Sequence, residues 1–206
     1  MTDTALNEPW ATPERQKVAT EFGLWAFLAT ETLFFGGVML FYAVARHAHP
    51  AGFIAGAREA EVLFGTINTF VLLTSSLTMA IAERATREAL VPLARWMLIA
   101  TCALGVAFLV VKGFEYRSDI EKHLVPGPGF KLTETGASQF WAFYWTATGM
   151  HACHMLIGLG VVGRLLLIPR DQLASRWTTA EGSALYWHLV DVVWIVLYAL
   201  IYLVGR

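Results

Sequence analysis

Long apolar stretches alternate with short polar ones along this chain, and the alternation predicts membrane-spanning helices. Each apolar stretch has about twenty residues or more, enough to cross a bilayer at roughly 1.5 Å of helical rise per residue. The predicted spans cover about residues 22–45, 62–82, 93–114, 140–167 and 184–204, after a polar arm of residues 1–21. We therefore predict an all-α integral membrane bundle of five transmembrane helices within a single membrane domain.

The composition agrees with this prediction. Of the 206 residues, 56% are hydrophobic and only 15% are charged, and the mean hydropathy of +0.53 is above that of ordinary soluble domains. The formal net charge is -1 without any basic cluster, so nucleic acid is not expected as a partner. Residues 1–21 do not resemble a cleavable signal peptide, and we expect the first span to act as its own insertion signal.

Polar residues inside the first two predicted spans are the first candidates for a functional site. Glu31 lies near the centre of the first span, where a carboxylate is normally protonated, paired or facing water. It is either a functional group or a packing group that hydrogen-bonds a neighbouring helix, and the residues alone leave both open. Asn68 and the hydroxyls of the second span are expected to serve packing, by bonding their own backbone or a neighbouring helix.

Three histidines lie within the last two predicted spans. His151 and His154 are three residues apart and share a helix face, and His188 and Asp191 repeat that spacing. A haem held by two histidines, or a mononuclear metal site, is one hypothesis. We favour a hydrogen-bonded polar seam inside the bundle, in which these four residues and Glu31 satisfy each other or hold a polar ligand such as a lipid headgroup. No catalytic centre and no metal site is predicted.

Three other features of the chain have simpler interpretations. Lys112 and Glu115 close the third predicted span, where their charges are expected to reach the membrane interface. The loop of residues 117–138 contains the turn-forming run Pro126-Gly127-Pro128-Gly129, which argues against a further helix. Cys102 and Cys153 both lie in apolar segments without metal-site spacing, so neither a disulfide nor a zinc site is expected.

The distribution of lysine and arginine predicts the orientation. The side of the N-terminus has eight of these residues and the other side has seven, which slightly favours a cytoplasmic N-terminus. An odd number of spans then places the C-terminus outside. The eight are Arg15, Lys17, Arg84, Arg87, Arg95, Arg164, Arg170 and Arg176, and the seven are Arg46, Arg58, Lys112, Arg117, Lys122, Lys131 and Arg206.

Several segments together resemble subunit III of the haem-copper terminal oxidases, in its short form with five helices. LATETLFF around Glu31 is similar to the Ser-Glu-x-x-Phe-Phe motif of that family, with Thr30 at the usual serine position. The segments INTFVLLTSSLTMAIA, KGFEY, HLVPGPGF, TGMHACHMLIGL and YWHLVDVVWIVLYALIYL continue the resemblance in the family's order. Ala152 and Cys153, between two histidines, depart from the glycine and larger apolar residue that the family often has.

The resemblance implies a fold and a role. The family forms a V-shaped cleft that holds phospholipid, and its mid-membrane glutamate, here Glu31, reacts with hydrophobic carbodiimides. The subunit carries no haem or copper, which belong to subunit I of a proton-pumping oxygen reductase used in aerobic respiration. It associates with subunits I and II in the inner (plasma) membrane of a bacterium and prolongs the working life of the oxidase. The residues assigned to the polar interior and lipid cleft are Glu31, Asn68, His151, His154, His188 and Asp191.

Three alternative functions are considered. A related accessory subunit of a nitric-oxide reductase would share the fold, whereas a stand-alone membrane haem protein would use the histidines as ligands. A transporter would usually have more helices and an internal repeat, and no repeat is visible.

We predict that a hydrophobic carbodiimide labels Glu31, because a carboxyl surrounded by hydrocarbon is the species that such a reagent attacks. Labelling, followed by mass spectrometry of the modified peptide, should disappear in Glu31→Gln. Labelling that persists in that variant would place the reactive carboxyl elsewhere.

Overall fold

The computed structural model describes residues 12–203 and, within that range, contains helices and no strand. Residues 1–11 of the predicted polar arm, residue 204 at the predicted end of the last span, and Arg206 lie outside the described residues. The helices are α1 (Pro13–Ala48), α2 (Pro50–Glu59), α3 (Val62–Arg87), α4 (Val91–Glu121), α5 (Ala137–Leu167), α6 (Arg170–Leu173) and α7 (Trp177–Tyr198). A 3-10 turn (Ala174–Arg176) precedes α7 and a π-helical turn (Ala199–Leu203) follows it.

Within the described residues, five helical segments are long and apolar enough to cross a membrane, which confirms the predicted number of spans and the all-α fold. They are Val18–Ala48, Val62–Arg87, Val91–Glu121, Ala137–Leu167 and Arg170–Leu203. The chain is therefore a multi-pass membrane protein.

The chain divides into two compact units, Met1–Gly37 and Val38–Arg206. The first unit contains the beginning of α1, which starts at Pro13, earlier than the predicted span. Proline suits the first position of a helix because its missing N–H needs no partner there. The Thr12 hydroxyl accepts a hydrogen bond from the Arg15 backbone N–H at 3.3 Å, as a residue that caps a helix N-terminus does.

The second unit is organised by two sets of helix contacts. Helix α3 packs against α4 and α7, and helix α5 packs against α2, α4 and α7. Large aromatic side chains fill the interior, and Trp141, Trp187 and Trp194 are among its largest fully buried residues. Gly158 of α5 allows the close approach of α7, since an added Cβ would lie 3.1 Å from the Trp187 ring, whereas Gly149 has open space beside it.

Helix α2 occupies most of residues 46–61, which the sequence predicts to be a connection between the first two spans. Pro50 opens the helix, and its buried face includes Gly52, Phe53 and Gly56. A Cβ on Gly52 would meet the backbone of Thr135 and the Ala137 nitrogen, the latter at 2.6 Å, so only glycine lets α2 lie this close to the start of α5.

The last turn of the chain that the structure describes is π-helical, and this leaves backbone groups without their usual helical partners. The Tyr42 hydroxyl, near the end of α1, donates a hydrogen bond of 2.6 Å to the Leu200 carbonyl in this turn. The Tyr42 ring also packs against Phe53 of α2 and Phe143 of α5, with centroid separations of 5.2 and 4.7 Å.

The loop after α4 is fastened to the α2–α3 junction by two ion pairs. Lys122 bonds Glu61, and Lys131 bonds Glu59 at 2.9 Å. The Lys122 ammonium, through its hydrogen bond, lowers the pKa of the Glu61 carboxyl below its usual value. The stabilisation from this pair is therefore present at neutral pH and is lost as the pH falls through the pKa of Glu61 in the folded chain.

We predict that Gly52→Ala destabilises the chain by about 1–3 kcal/mol, because the new methyl group would force the backbones of α2 and α5 apart. Gly149→Ala is the matched control, since it adds the same methyl group to open space beside a helix and should not destabilise. Thermal unfolding of the purified membrane complex would measure both effects. Equal unfolding temperatures for the two variants would contradict the close packing.

Candidate functional site

The structure places five of the six predicted site residues on three helices of the second unit. Each of these five is buried or half-buried: Asn68 on α3, His151 and His154 on α5, and His188 and Asp191 on α7. Glu31 is half-buried on α1 and belongs to the first unit, Met1–Gly37.

Hydrogen bonds between α3 and α7 account for part of the predicted polar interior. The Ser76 hydroxyl lies 2.8 Å from His188 Nδ1, and the Trp187 indole N–H donates to the Ser75 hydroxyl at 3.0 Å. Ser76 also lies close to Asp191. Neither oxygen of the Asp191 carboxyl, however, forms a well-aligned hydrogen bond with a described residue. The histidine three residues before Asp191 thus bonds a neighbouring helix.

His151 and His154 have different surroundings, although they share a helix. The His151 ring is fully buried between Phe108 and Trp194, with centroid distances of 5.4 and 5.1 Å, and neither ring nitrogen has a hydrogen-bond partner among the described residues. His154 Nδ1 lies 2.8 Å from the Met150 carbonyl. A carbonyl only accepts hydrogen bonds, so His154 Nδ1 carries the hydrogen.

The hydroxyls of α3 confirm the packing interpretation, because they bond both the backbone and neighbouring helices. Thr69 donates to the Gly65 carbonyl at 2.8 Å and accepts from the Trp194 indole N–H at 3.2 Å. The Thr66 and Tyr198 hydroxyls lie 2.8 Å apart. Asn68 is also fully buried, but its side-chain atoms have no hydrogen-bond partner within residues 12–203.

The part of the chain that the structure describes contains no group of three or more histidine, cysteine, aspartate or glutamate side chains placed to hold a metal ion. Cys102 and Cys153 are both unpaired thiols. The buried polar residues instead lie in separate small groups, each with its own neighbours.

The most extensive polar group was not predicted as a site from the sequence. Lys112, Glu115 and Asp119 of α4 are each only 1% exposed, so the expectation that Lys112 and Glu115 reach the membrane interface is wrong. Helix α4 continues to Glu121, beyond the predicted end of this span at residue 114, so Glu115 and Asp119 still belong to the helix. Together with Lys112 they lie on its buried face. Together with Tyr144 of α5 and Tyr202 of the π-helical turn they form a group that we call the lysine cluster.

The Lys112 ammonium is fully paired within the lysine cluster. Its Nζ lies 3.0 Å from Glu115 Oε2 and donates hydrogen bonds to the Tyr202 and Tyr144 hydroxyls at 2.9 and 3.1 Å. Four aromatic rings also surround the charge, and their centroids lie 4.5–5.7 Å from Nζ. These distances favour attraction between a cation and the π-face of a ring.

The two tyrosine hydroxyls join the carboxyl groups to this ammonium. The Tyr202 oxygen lies 2.5 Å from Glu115 Oε1, and the Tyr144 oxygen lies 2.9 Å from the same carboxyl oxygen. The Tyr144 oxygen is also 2.5 Å from Asp119 Oδ2. Just outside the cluster, the Tyr116 hydroxyl pairs with the Thr148 hydroxyl at 2.8 Å.

The sequence contained a signal for the lysine cluster in its helical spacing. Residues 112, 115 and 119 are three and four positions apart, which places them on one face of a helix. A span that ends at residue 114 contains only the first of these three residues, so the predicted span does not reveal the whole face. The chemistry of the group is that of a buried ion pair with tyrosine bridges, which fixes the ends of three elements against one another.

Comparison with known proteins agrees with this fold. The profile of the family described as cytochrome c oxidase subunit III matches residues 12–206. The chain belongs to the cytochrome c oxidase subunit III family.

Two relatives show how far the family similarity extends. Cytochrome c oxidase subunit 3 of Thermostichus vulcanus is 34% identical over 89% of this chain and 87% of the relative. Cytochrome bo(3) ubiquinol oxidase subunit 3 of Pseudomonas aeruginosa is 32% identical over 90% of this chain and 85% of the relative. The family thus includes proteins named for either electron donor.

We predict that Tyr144→Phe lowers stability by about 1.5–3 kcal/mol, because it removes a hydroxyl that joins the Lys112 ammonium to two carboxyl groups. Tyr116→Phe, the matched control, removes one bond between neutral hydroxyls and should cost about 1 kcal/mol. Unfolding temperatures of the purified complex in detergent would compare the two. If Tyr116→Phe lost as much stability as Tyr144→Phe, the hydroxyl in the lysine cluster would contribute no more stability than one in a neutral hydroxyl pair.

Proposed function

We propose that this chain is the accessory subunit III of a proton-pumping haem-copper oxygen reductase of aerobic respiration. The observation that carries the proposal is the family match over residues 12–206, which includes all five apolar helices. The chain would work as part of a terminal oxidase complex and would contribute no redox centre of its own.

The proposed partners are oxidase subunits I and II, with haem and copper in subunit I. Many buried polar groups of the second unit are used in internal contacts: the residues of the lysine cluster bond one another, and hydroxyls of α3 bond side chains of α7. Such an interior supports a structural role. The relatives are named as cytochrome c oxidase or ubiquinol oxidase subunits, and the other subunits would determine which donor is used.

The proposed role is to sustain turnover by stabilising subunit I and by holding phospholipid in a V-shaped cleft. The residues proposed to shape and line this cleft are Glu31, Asn68, His151, His154, His188 and Asp191. The half-buried or buried positions of the last five on α3, α5 and α7 support their assignment, because polar side chains inside a membrane protein face protein or a cavity.

Purification of the chain with its native partners tests the proposed function. The complex should contain haem and copper and reduce oxygen with cytochrome c or a quinol. Isolation of a complex that reduces nitric oxide instead would favour the related accessory subunit. Stoichiometric haem in the chain purified alone would contradict the absence of a redox centre.

For the seam itself, we predict that Asp191→Ala leaves the initial rate of oxygen reduction near that of the wild type, while the enzyme inactivates sooner and retains less lipid. Glu31→Ala should behave in the same way. The physical reason is that these groups shape the cleft and take no part in the chemistry of oxygen. Asp171→Ala, at an exposed position in α6, is the matched control and should change neither lifetime nor lipid content.

Stopped-flow oxygen reduction and lipid analysis of the complex measure these effects. A large loss of rate in the first turnover, together with normal lipid content and lifetime, would contradict the lipid-cleft role and favour direct participation in proton or electron transfer.

We further propose a bacterial inner-membrane location with a cytoplasmic N-terminus and an outside C-terminus. An alkaline phosphatase fused after Arg206 should be active, because this reporter folds only outside the cytoplasm. An inactive fusion that is still inserted in the membrane would reverse the orientation.

A further inference from the structure

The hydrogen-bond geometry of the lysine cluster requires more hydrogens than its lysine and tyrosines supply. Lys112 has three N–H bonds, and it has three neighbours at 2.9–3.1 Å: Glu115 Oε2 and the two tyrosine oxygens. Three oxygen–oxygen contacts then remain, Tyr202 to Glu115, Tyr144 to Glu115, and Tyr144 to Asp119, at 2.5, 2.9 and 2.5 Å. Two phenols can supply only two of those three hydrogens.

The balance of charge leads to the same result. One ammonium and two carboxylates would leave a net negative charge among side chains that are each about 1% exposed. An unpaired charge in a protein interior is very costly unless it is neutralised. The two nearest cations that follow in the sequence have other partners, since Arg117 of α4 bonds Glu121 and Lys122, just after α4, bonds Glu61. The other titratable groups near the carboxyls are Lys122, whose charge also acts on Asp119, Tyr116 of α4, Tyr144 of α5 and Tyr202 of the π-helical turn.

The two carboxyl groups differ in how well their negative charge is supported. Glu115 lies against the Lys112 ammonium and contacts both tyrosine hydroxyls. Asp119 bonds the Tyr144 hydroxyl through Oδ2. Its Oδ1 and Glu115 Oε2 are both buried without a hydrogen bond among the described residues, but Glu115 Oε2 lies 3.0 Å from the Lys112 ammonium. The missing hydrogen therefore belongs on Asp119.

We infer that the lysine cluster is a buried proton-binding site in which Asp119 is a neutral carboxylic acid that donates a hydrogen bond to the phenol oxygen of Tyr144. The Tyr144 and Tyr202 hydroxyls then donate to Glu115, which remains a carboxylate paired with Lys112. Every oxygen–oxygen contact has one hydrogen, and the cluster as a whole is neutral. This assignment is independent of the proposed accessory function.

Infrared spectroscopy of the purified oxidase complex tests the assignment, with aspartate labelled by carbon-13 at its carboxyl group. The difference spectrum between wild type and Asp119→Asn should show the loss of one labelled carbonyl stretch of a protonated acid. The exposed Asp171→Asn is the matched control and should remove the bands of an ionised carboxylate. Loss of carboxylate bands in Asp119→Asn would overturn the inference, because Asp119 would then be ionised. This outcome also covers the case in which a small cation balances the charge of the carboxylate.

A second variant keeps the test decisive if Asp119→Asn does not assemble. Tyr144→Phe preserves the ring and removes the oxygen that accepts the proposed hydrogen bond. The labelled acid band should then move to the higher frequency of a carbonyl in a less strongly hydrogen-bonded acid. A labelled acid region identical to that of the wild type would contradict the inference.

Discussion

The pairing of the buried Lys112 ammonium is the interaction on which the packing of α4, α5 and the π-helical turn depends. An ammonium in the interior of a membrane protein is stable only where counter-charges and hydrogen-bond acceptors surround it. Those groups are Glu115, one turn after Lys112 on α4, Tyr144 of α5, and Tyr202 of the π-helical turn after α7. The positions of these three elements are therefore linked, because a shift of any one would leave a buried charge unpaired.

This constraint gives a reason for two local features. Tyr202 reaches Lys112 and Glu115 from within the π-helical turn, and Tyr42 satisfies the Leu200 carbonyl in the same turn. In the middle of α7, by contrast, His188 and Trp187 bond neutral hydroxyls of α3. The chain is thus held by a charged cluster just beyond α7 and by neutral hydrogen bonds in the middle of that helix. An interior whose polar groups are used in this way suits a subunit that supports a catalytic partner.

The sequence predicted the apolar spans and the family because these depend on long, local patterns. It did not predict α2, since Gly52 and Gly56 are poor helix formers by propensity and are selected here by close packing against α5. The end of the third span that the sequence predicts, residue 114, also lies well before the end of α4 at Glu121. Charges at 112 and 115 normally mark a helix end near water, and only the partners on α5 and beyond α7 show that these charges are buried.

The polar seam shows the same division between local and tertiary information. Helical spacing placed His151 and His154 on one face, but it could not show that His151 lies between aromatic rings while His154 bonds the Met150 carbonyl. The partner of His188 likewise comes from α3, which is distant in sequence. Spacing within one helix identifies a face, whereas the residues that meet that face depend on the packing of the whole chain.

A double-mutant cycle on Lys112 and Glu115 tests most directly whether this buried pair holds the second unit together. Lys112→Met and Glu115→Gln should each lower the free energy of unfolding by about 3–5 kcal/mol, because each leaves its former partner without its counter-charge. The double variant should lose far less than the sum. The exposed pair Arg117 and Glu121, 2.9 Å apart, provides the control cycle, with a coupling of about 1 kcal/mol or less. Additive losses at Lys112 and Glu115 would contradict the account.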